Sequence, residues 1–309
     1  MKWLENESLA KHTSLHIGGA ARWYCEARTV DEIKQALAEA KERDIKVAIL
    51  GGGTNSLFSD AGFDGLVLRP MLSKFEAHED GTVRAEAGVL SVYMAKKTAE
   101  LGLAGFEWAA TLPGTIGGAV RGNAGCFGGE TKDRLLYVEV LKGSEVITID
   151  QNRCGFAYRD SIFKSLNDNV ILAAAFKLAP ANRHECEARV AEIIAKRKAT
   201  QPQGTASAGC MFKNFEFTHE DEITKLTSVL TIPKDFLARK VIPAGWLIEQ
   251  AGLKGFTIGG ASISEVHGNF LVVTPGAKAD HIHQLVASIK SKIRNAYGVQ
   301  LQEEVQFFV

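Results

Sequence analysis

Two glycine-dense stretches carry the residue types and spacing best suited to chemistry in this chain. The first, Leu50 to Ser56, reads L-G-G-G-T-N-S and follows the apolar run Val47 to Leu50. Consecutive glycines let successive backbone N–H groups converge on one anion, a nest of the kind that holds a pyrophosphate. After Gly51, Gly52 and Gly53, the side chains of Thr54, Asn55 and Ser56 add hydroxyl and amide donors. The loop has neither the G-x-G-x-x-G of a dinucleotide turn nor the G-K-S/T of a P-loop; taken alone, it also reads as a plain tight turn. The second stretch runs from Gly105 to Glu130, with further glycines at 114, 117, 118, 122, 125, 128 and 129. That density is poor for regular structure and suits close approach of the backbone to a ligand. Three other places hold reactive side chains: Arg159 in Tyr158-Arg159-Asp160-Ser161, Cys210, and the pair Glu303-Glu304. By type alone, Arg159 reads as a surface ion-pair partner, Cys210 as a small buried hydrophobe, and the two glutamates as exposed strand charges. The five cysteines (25, 126, 154, 186 and 210) are odd in number and show no C-x-x-C spacing, which argues against a zinc site or a disulfide framework.

The elements that must position these groups are legible in part. Thr29 and Glu32 make a T-x-x-E capping box for a helix near 30–43 whose apolar face is Ile33, Ala36, Leu37 and Ala40. Val47 to Leu50 and Leu66 to Leu68 read as strands flanking the first glycine loop. Residues 82–88 read as a strand, followed by a helix with Ser91 as N-cap and Gly102 as stop. Residues 136–149 and 169–178 are β-rich, and 183–198 form an amphipathic helix on Val190, Ile193 and Ile194. Gln201-Pro202 breaks the chain at a domain junction. Ile282, Leu285, Val286, Ile289 and Ile293 fall on one face of a helix over 278–297 that Gly298 ends, and Val299 to Val309 reads as a terminal strand. Strands and helices are mixed without regular βαβ alternation, so the class is α+β.

Composition narrows the function classes. The 309 residues carry 36 basic and 36 acidic side chains, so no global field draws nucleic acid or an anionic membrane, and a phosphorylated ligand must be held by local groups. With 46% hydrophobic residues the chain can build a sizeable core. The start lacks a continuous apolar signal region and no run of 18 apolar residues occurs, so a cytoplasmic location is expected.

Beyond these patterns, the chain resembles a known family. GGGTNSLFSDAGFDGLVL (51–68) is similar to the pyrophosphate loop of the FAD-binding fold of vanillyl-alcohol-oxidase type. PGTIGGAVRGNAGCFGGE (113–130) is similar to the flavin-surrounding block of the UDP-N-acetylenolpyruvoylglucosamine reductases, which serve the muramic acid branch of peptidoglycan synthesis. HTSLHIGGAA (12–21), YRDSIFK (158–164), QPQGTASAGCMFKN (201–214), GWLIEQAGLKG with IGGASISEVHGNF (245–270) and EEVQFF (303–308) fit further blocks of that family, in family order and over nearly all of the chain. The compact passage at 197–202 looks like the shorter family variant, which lacks an extra substrate-covering insertion.

The resemblance implies a fold and a set of roles. Expected are two α+β subdomains of the FAD-binding fold at 1–69 and 70–200, and an α+β substrate domain at 201–309 whose last strand could return to the FAD domain. FAD would be held non-covalently by Gly51, Gly52, Gly53, Thr54, Asn55, Ser56, Pro113, Gly114, Thr115, Gly117, Gly118 and Asn123. The implied reaction reduces an enolpyruvyl ether to a lactyl ether, with hydride reaching C3 from NADPH by way of FAD and a proton needed at C2. That chemistry asks for support at the substrate carboxylate and a positioned acid. By resemblance Arg159 gives the first, as a two-pronged guanidinium. Glu304, chosen over Glu303 because it directly precedes Val305, stands near the same carboxylate, so it would hold a proton or pair with Arg159. Cys210 sits where the family usually has the serine that protonates C2. A hydroxyl is a very weak acid and a free thiol has a pKa of about 8.5, so acidity does not count against cysteine, although the thiol is a weaker hydrogen-bond donor.

Lys198, Asn214 and His267 are second-rank candidates for substrate contact, with Asn269 in the same S-E-V-H-G-N-F block as His267. Phe215 stands where the family usually has proline, and the polar stretch 216–240 reads as a solvated helix and loop. The expectation is therefore an FAD- and NADPH-using monomer with a small UDP-sugar substrate, no metal and no nucleic-acid or membrane partner. The alternative is another FAD-dependent oxidase or dehydrogenase on the same scaffold. Many of those attach flavin to His or Cys after the first glycine loop, where this chain has Thr54, Asn55 and Ser56.

Overall fold

The computed structural model describes residues 2–166 and 169–308. Residues 1, 167, 168 and 309 lie outside that description, and with them the ends of the first expected subdomain and of the terminal strand. The local signals translate directly into elements. Thr29 caps the helix Val30–Glu42: its Oγ1 accepts from the Glu32 N–H at 3.2 Å, and Glu32 Oε2 accepts from the Thr29 N–H at 3.2 Å. That reciprocal pair satisfies two of the donors a helix start leaves over. The helix buries Ile33, Ala36 and Ala40, with Leu37 partly buried beside them. The helix Ser91–Glu100 differs in one detail from expectation: Leu90 is its N-cap and Ser91 its first residue, with the Ser91 N–H donating to the Gly114 carbonyl at 3.0 Å.

Two compact units are built from interleaved segments. The first contains residues up to Glu7, Ala21–Gly53 and Asp64–Ala199; the second contains Ser8–Ala20, Thr54–Phe63 and the chain from Thr200 on. In the first unit, one sheet has the order Leu4–Ser8, Ala20–Ala27, Phe63–Pro70, Val47–Ile49, the last two parallel with Val47 opposite Leu66 and Ile49 opposite Leu68. A second, antiparallel sheet has the order Glu145–Asp150, Leu135–Lys142, Asn169–Lys177, Thr82–Glu86, Phe75–Ala77. Its central strand is covered on both faces. Val170 and Leu172 join the cluster under the first sheet's helix, whereas Ile171, Ala174 and Phe176 join a core with Met94, Ala95, Ile116, Val120, Val190 and Ile193. That core is what fixes the helices Ser91–Glu100, Ile116–Gly122 and Arg183–Thr200.

In the second unit, the helix Ala279–Tyr297 buries Ile282, Leu285, Val286, Ile289 and Ile293, and Gly298 ends it with φ 75°. The helix shares one core with the small antiparallel sheet Thr257–Ile258, Ala261–Ile263, Leu271–Val273. The last strand, Gln306–Phe308, is shorter than the expected one. It runs parallel to Ser56–Phe58, with Gln306 opposite Ser56 and the Phe58 and Phe308 rings stacked 4.5 Å apart. The 216–240 stretch, expected as a solvated helix and loop, contains the helices Thr224–Val229 and Lys234–Arg239 but is less solvated than expected: Phe215–Glu216 pairs with Val241–Ile242, and Phe217, Ile223, Leu226 and Ile232 are buried. The departure at Phe215 is thus a strand position, opposite Ile242, that a proline would deprive of a backbone donor. Among the described residues, no helix is long and apolar enough to cross a membrane.

Candidate active site

The two glycine loops meet in the first unit. A Cβ at Gly52 would stand 2.7 Å from Gly114 Cα, and one at Gly51 would stand 2.9 Å from Thr115 Oγ1. Both positions therefore need glycine for space, and Gly53 needs it for backbone, with φ 65°. Among the described residues, neither the Gly51 nor the Gly52 N–H has a hydrogen-bond partner. Two adjacent donors left over beside a loop with no room for side chains make a cradle for an anion.

The second loop does a different job. Thr115 Oγ1 accepts from the Gly118 N–H at 3.4 Å, and the N–H groups of Ile116 and Gly117 donate to the carbonyls of Val89 and Ala87, both at 2.9 Å. The leading amides of the helix Ile116–Gly122 are thus occupied by the protein. Gly117 is small because Ala87 lies against it: a Cβ there would come 2.9 Å from the Ala87 Cβ. Pro113 and Gly118 are exposed on this loop. Among the described residues, the first loop thus keeps two adjacent backbone donors unmatched, whereas the leading helix amides of the second are spent on protein groups. Overpacking costs about 1–3 kcal/mol, so Gly52→Ala is predicted to weaken FAD retention about tenfold or more. Gly122→Ala, where a Cβ meets nothing within 4 Å, is the control. Equal FAD affinity of Gly52→Ala and the parent in fluorescence titration would rule out the cradle.

Asn123, expected as a cofactor contact, has its side chain fully engaged by protein. It is completely buried and left-handed (φ 41°). Its Nδ2 donates to Glu130 Oε2 at 2.7 Å and to the Ala157 carbonyl at 2.9 Å, while its Oδ1 accepts from the Lys132 N–H at 3.1 Å. Both donors are used, so Asn123 acts as a lock between the hairpin 125–130 and the turn that carries Arg159.

Arg159 occupies the tip of that turn. Ala157 and Asp160 exchange backbone hydrogen bonds at 3.1 Å across it, and Arg159 between them is left-handed with φ 53°. A non-glycine residue held there costs about 1–3 kcal/mol, which the surroundings must over-determine. They do so through the Lys164 ammonium, which donates to the Arg159 carbonyl, and the Ser161 hydroxyl, which donates to the Arg121 carbonyl at 2.7 Å. The guanidinium lies 5.2 Å from the centre of the Tyr158 ring, and its Nη2 donates to the Gly125 carbonyl. A planar cation is thereby fixed against the glycine hairpin.

In the second unit, Cys210 and Glu304 are held by one small ladder. Cys210 bridges Phe270, and Phe212 bridges Glu303. The Glu304 N–H donates to the Met211 carbonyl at 2.8 Å, and the Lys213 N–H donates to the Gln302 carbonyl at 2.8 Å. From the other side, Asn55 Nδ2 donates to the Glu304 carbonyl at 3.2 Å and the Asn55 carbonyl accepts from the Gln306 N–H at 3.0 Å. The glutamate pair is resolved by Lys290, whose ammonium lies 2.8 Å from Glu303 Oε1. Successive residues of an extended segment face opposite ways, so Glu303 turns to the helix and Glu304 away from it. Nothing in the local sequence marks Lys290; the pairing depends on how the helix Ala279–Tyr297 packs.

The second-rank residues separate as well. Asn214 Oδ1 accepts from the Ala244 N–H at 3.2 Å and so caps the helix Ala244–Gln250. Lys198 is exposed on the last turn of Arg183–Thr200. His267 Nδ1 accepts from the Asn269 N–H at 3.2 Å, its ring lies edge-on to Phe270 at 4.8 Å, and burial lowers its pKa. A depressed folded-state pKa means that the unfolded chain binds the proton more readily. Stability is then intact above about pH 6.5, the unfolded value, and declines as pH falls below it. His267→Gln is predicted to flatten that limb of a Tm-against-pH curve; an unchanged slope would exclude His267 as its source. Among the described residues, no group of three or more His, Cys, Asp or Glu side chains could hold a metal.

The family profile described as UDP-N-acetylenolpyruvoylglucosamine reductase, C-terminal domain, matches residues 201–308, and that described as FAD binding domain matches 21–149. The chain is 37% identical to the UDP-N-acetylenolpyruvoylglucosamine reductase of Chloroflexus aggregans, over 97% of this chain and 96% of that one. It is 34% identical to the enzyme of the same name from Solibacter usitatus, over 97% and 94%. The solved structure of UDP-N-acetylenolpyruvylglucosamine reductase from Thermus caldophilus superposes with a TM-score of 0.78 at 29% identity, covering 100% of this chain and 98% of that one.

Proposed function

The chain belongs to the UDP-N-acetylenolpyruvoylglucosamine reductase family, and from that premise we propose that it reduces the enolpyruvyl ether of UDP-N-acetylglucosamine to the lactyl ether, UDP-N-acetylmuramate, for peptidoglycan synthesis. FAD is the bound cofactor and NADPH the reductant. The observation that carries the reading is that each matched segment contains its own chemical cluster: the Gly51–Gly52 cradle within 21–149, and the Cys210–Glu304 ladder within 201–308.

The cradle fits FAD, since its two adjacent amides suit a pyrophosphate and its walls exclude side chains. When bound, FAD supplies the two-electron relay between nicotinamide and substrate. The chain's own residues do the rest. Arg159 takes the substrate carboxylate with its planar fork, and a charge-assisted bond of that kind contributes about 1.5–3 kcal/mol. It accelerates the reaction to the extent that it strengthens as negative charge gathers on the carboxylate. Glu304 matches the second carboxylate support of the family by resemblance. Cys210 gives its thiol proton to C2 as the C2–C3 double bond is reduced, and solvent later returns a proton to sulfur.

The test is direct. The purified protein should show a flavin spectrum, release its flavin on acid denaturation, and oxidise NADPH in a manner dependent on the enolpyruvyl UDP-sugar. Absence of flavin, or NADPH oxidation indifferent to that substrate, refutes the reading.

A further inference from the structure

The segment that presents Cys210 is not an ordinary strand. Ala206 bridges Val273 and Cys210 bridges Phe270, so four steps on one side face three on the other. An extra residue of this kind is a β-bulge, which bends the strand and re-aims the side chain that follows. Gly209 supplies the backbone for it, with φ 81° and its N–H donating to Ser207 Oγ at 3.2 Å. A bulge disrupts regular pairing, and both polar groups of Phe212, 1% exposed, must be satisfied inside the protein.

Asn269 satisfies them. Its Oδ1 accepts from the Phe212 N–H at 2.9 Å and its Nδ2 donates to the Phe212 carbonyl at 2.7 Å, while its own carbonyl accepts from the Met211 N–H at 2.8 Å. A side-chain amide has the donor and acceptor of a peptide group, so Asn269 stands in for the missing partner strand. It is itself only 2% exposed. The clamped residues are the ones that set the candidate pair: Met211, next to Cys210, receives the Glu304 N–H, and Phe212 bridges Glu303.

We propose that Asn269 is a positioning residue for the protonation step, holding Cys210 and Glu304 in a fixed relation by completing the bulged ladder at Phe212. The proposal rests on the reductase reading for the identity of that step. A misplacement of about 1 Å in a reacting group can cost on the order of 100-fold in rate. Asn269→Ala should therefore slow reoxidation of the reduced flavin by the enolpyruvyl UDP-sugar about 100-fold, while NADPH reduces the flavin at close to the parent rate.

Asn269→Asp gives the sharper result. A buried carboxyl beside a carbonyl has its pKa raised. When protonated, it can donate to the Phe212 carbonyl and accept from the Phe212 N–H, as the amide does. When ionised, it faces the Phe212 carbonyl with like charge. Reoxidation by this variant, as a ratio to the parent, should approach parity at acid pH and fall as pH rises through the carboxyl's pKa. The Ala variant's ratio should stay low throughout. In protein without substrate, iodoacetamide labelling of the Cys210 peptide, read by mass spectrometry, should be severalfold faster in Asn269→Ala. Should the Ala variant fail to fold, the Asp pH profile and its Cys210 labelling carry the test.

Equal loss in both half-reactions, a pH-independent Asp ratio, or unchanged Cys210 labelling overturns the proposal. If the parent protein itself passes no electrons to the enolpyruvyl UDP-sugar, the functional reading fails instead, and the labelling result still decides whether Asn269 sets Cys210.

Discussion

Cys210→Ala is expected to turn over the enolpyruvyl substrate about 10²–10⁴-fold more slowly than the parent, the usual contribution of a positioned general acid. NADPH should still bleach the flavin, because Cys210 has no part in that half-reaction. Cys210→Ser should keep much of the activity: the hydroxyl occupies the same position, and the bulged ladder that sets that position is made by the backbone of residues 206–212 and by Asn269. Stopped-flow measurement of the two half-reactions separates the cases. If Cys210→Ala reoxidises its flavin as fast as the parent, the proton comes from elsewhere.

Arg159 should give the other large effect. Removing a group aimed at developing negative charge typically costs about 10²–10³-fold in kcat, and Arg159→Ala is predicted to lose that much in kcat/KM. Arg159→Lys should recover only part of it, since an ammonium is a point charge without the two-pronged geometry. Arg159→Gly is the informative control. Glycine accepts the left-handed backbone at φ 53° without strain, so its loss of activity should come without a matching fall in Tm. A parallel collapse of Tm and activity would show that Arg159 serves the fold and not the substrate.

Much of this was legible in the residues themselves, where the determining interaction is local. The Thr29–Glu32 box, the apolar stripe of Ala279–Tyr297 and its stop at Gly298 are settled within a few turns of chain, so pattern suffices. Order and spacing of the glycine, arginine and cysteine blocks were enough to point to the family. The resemblance of their blocks named Arg159, Cys210 and Glu304 as candidates, where residue type alone would not, but it did not say how they are held.

Tertiary structure decided what depends on pairing between distant segments, for which one strand or one asparagine carries no local signature. It drew Thr54–Phe63 into the unit built from Thr200 onward, through the parallel pairing of Ser56–Phe58 with Gln306–Phe308. It used the Asn123 side chain as a buried lock where cofactor contact was expected, and it made Asn269 a substitute for a strand. It also separated Glu303 from Glu304, since Lys290 reaches Glu303 only once the long helix packs. The glycine loops show the same division: composition revealed that the backbone must come close to something, while only the packing shows that a Cβ at Gly52 would stand 2.7 Å from Gly114 Cα and that the Gly51 and Gly52 amides are unmatched among the described residues. Sequence sets which groups are present and which helices form; the long-range ladder sets which of those groups still have hydrogen bonds to offer.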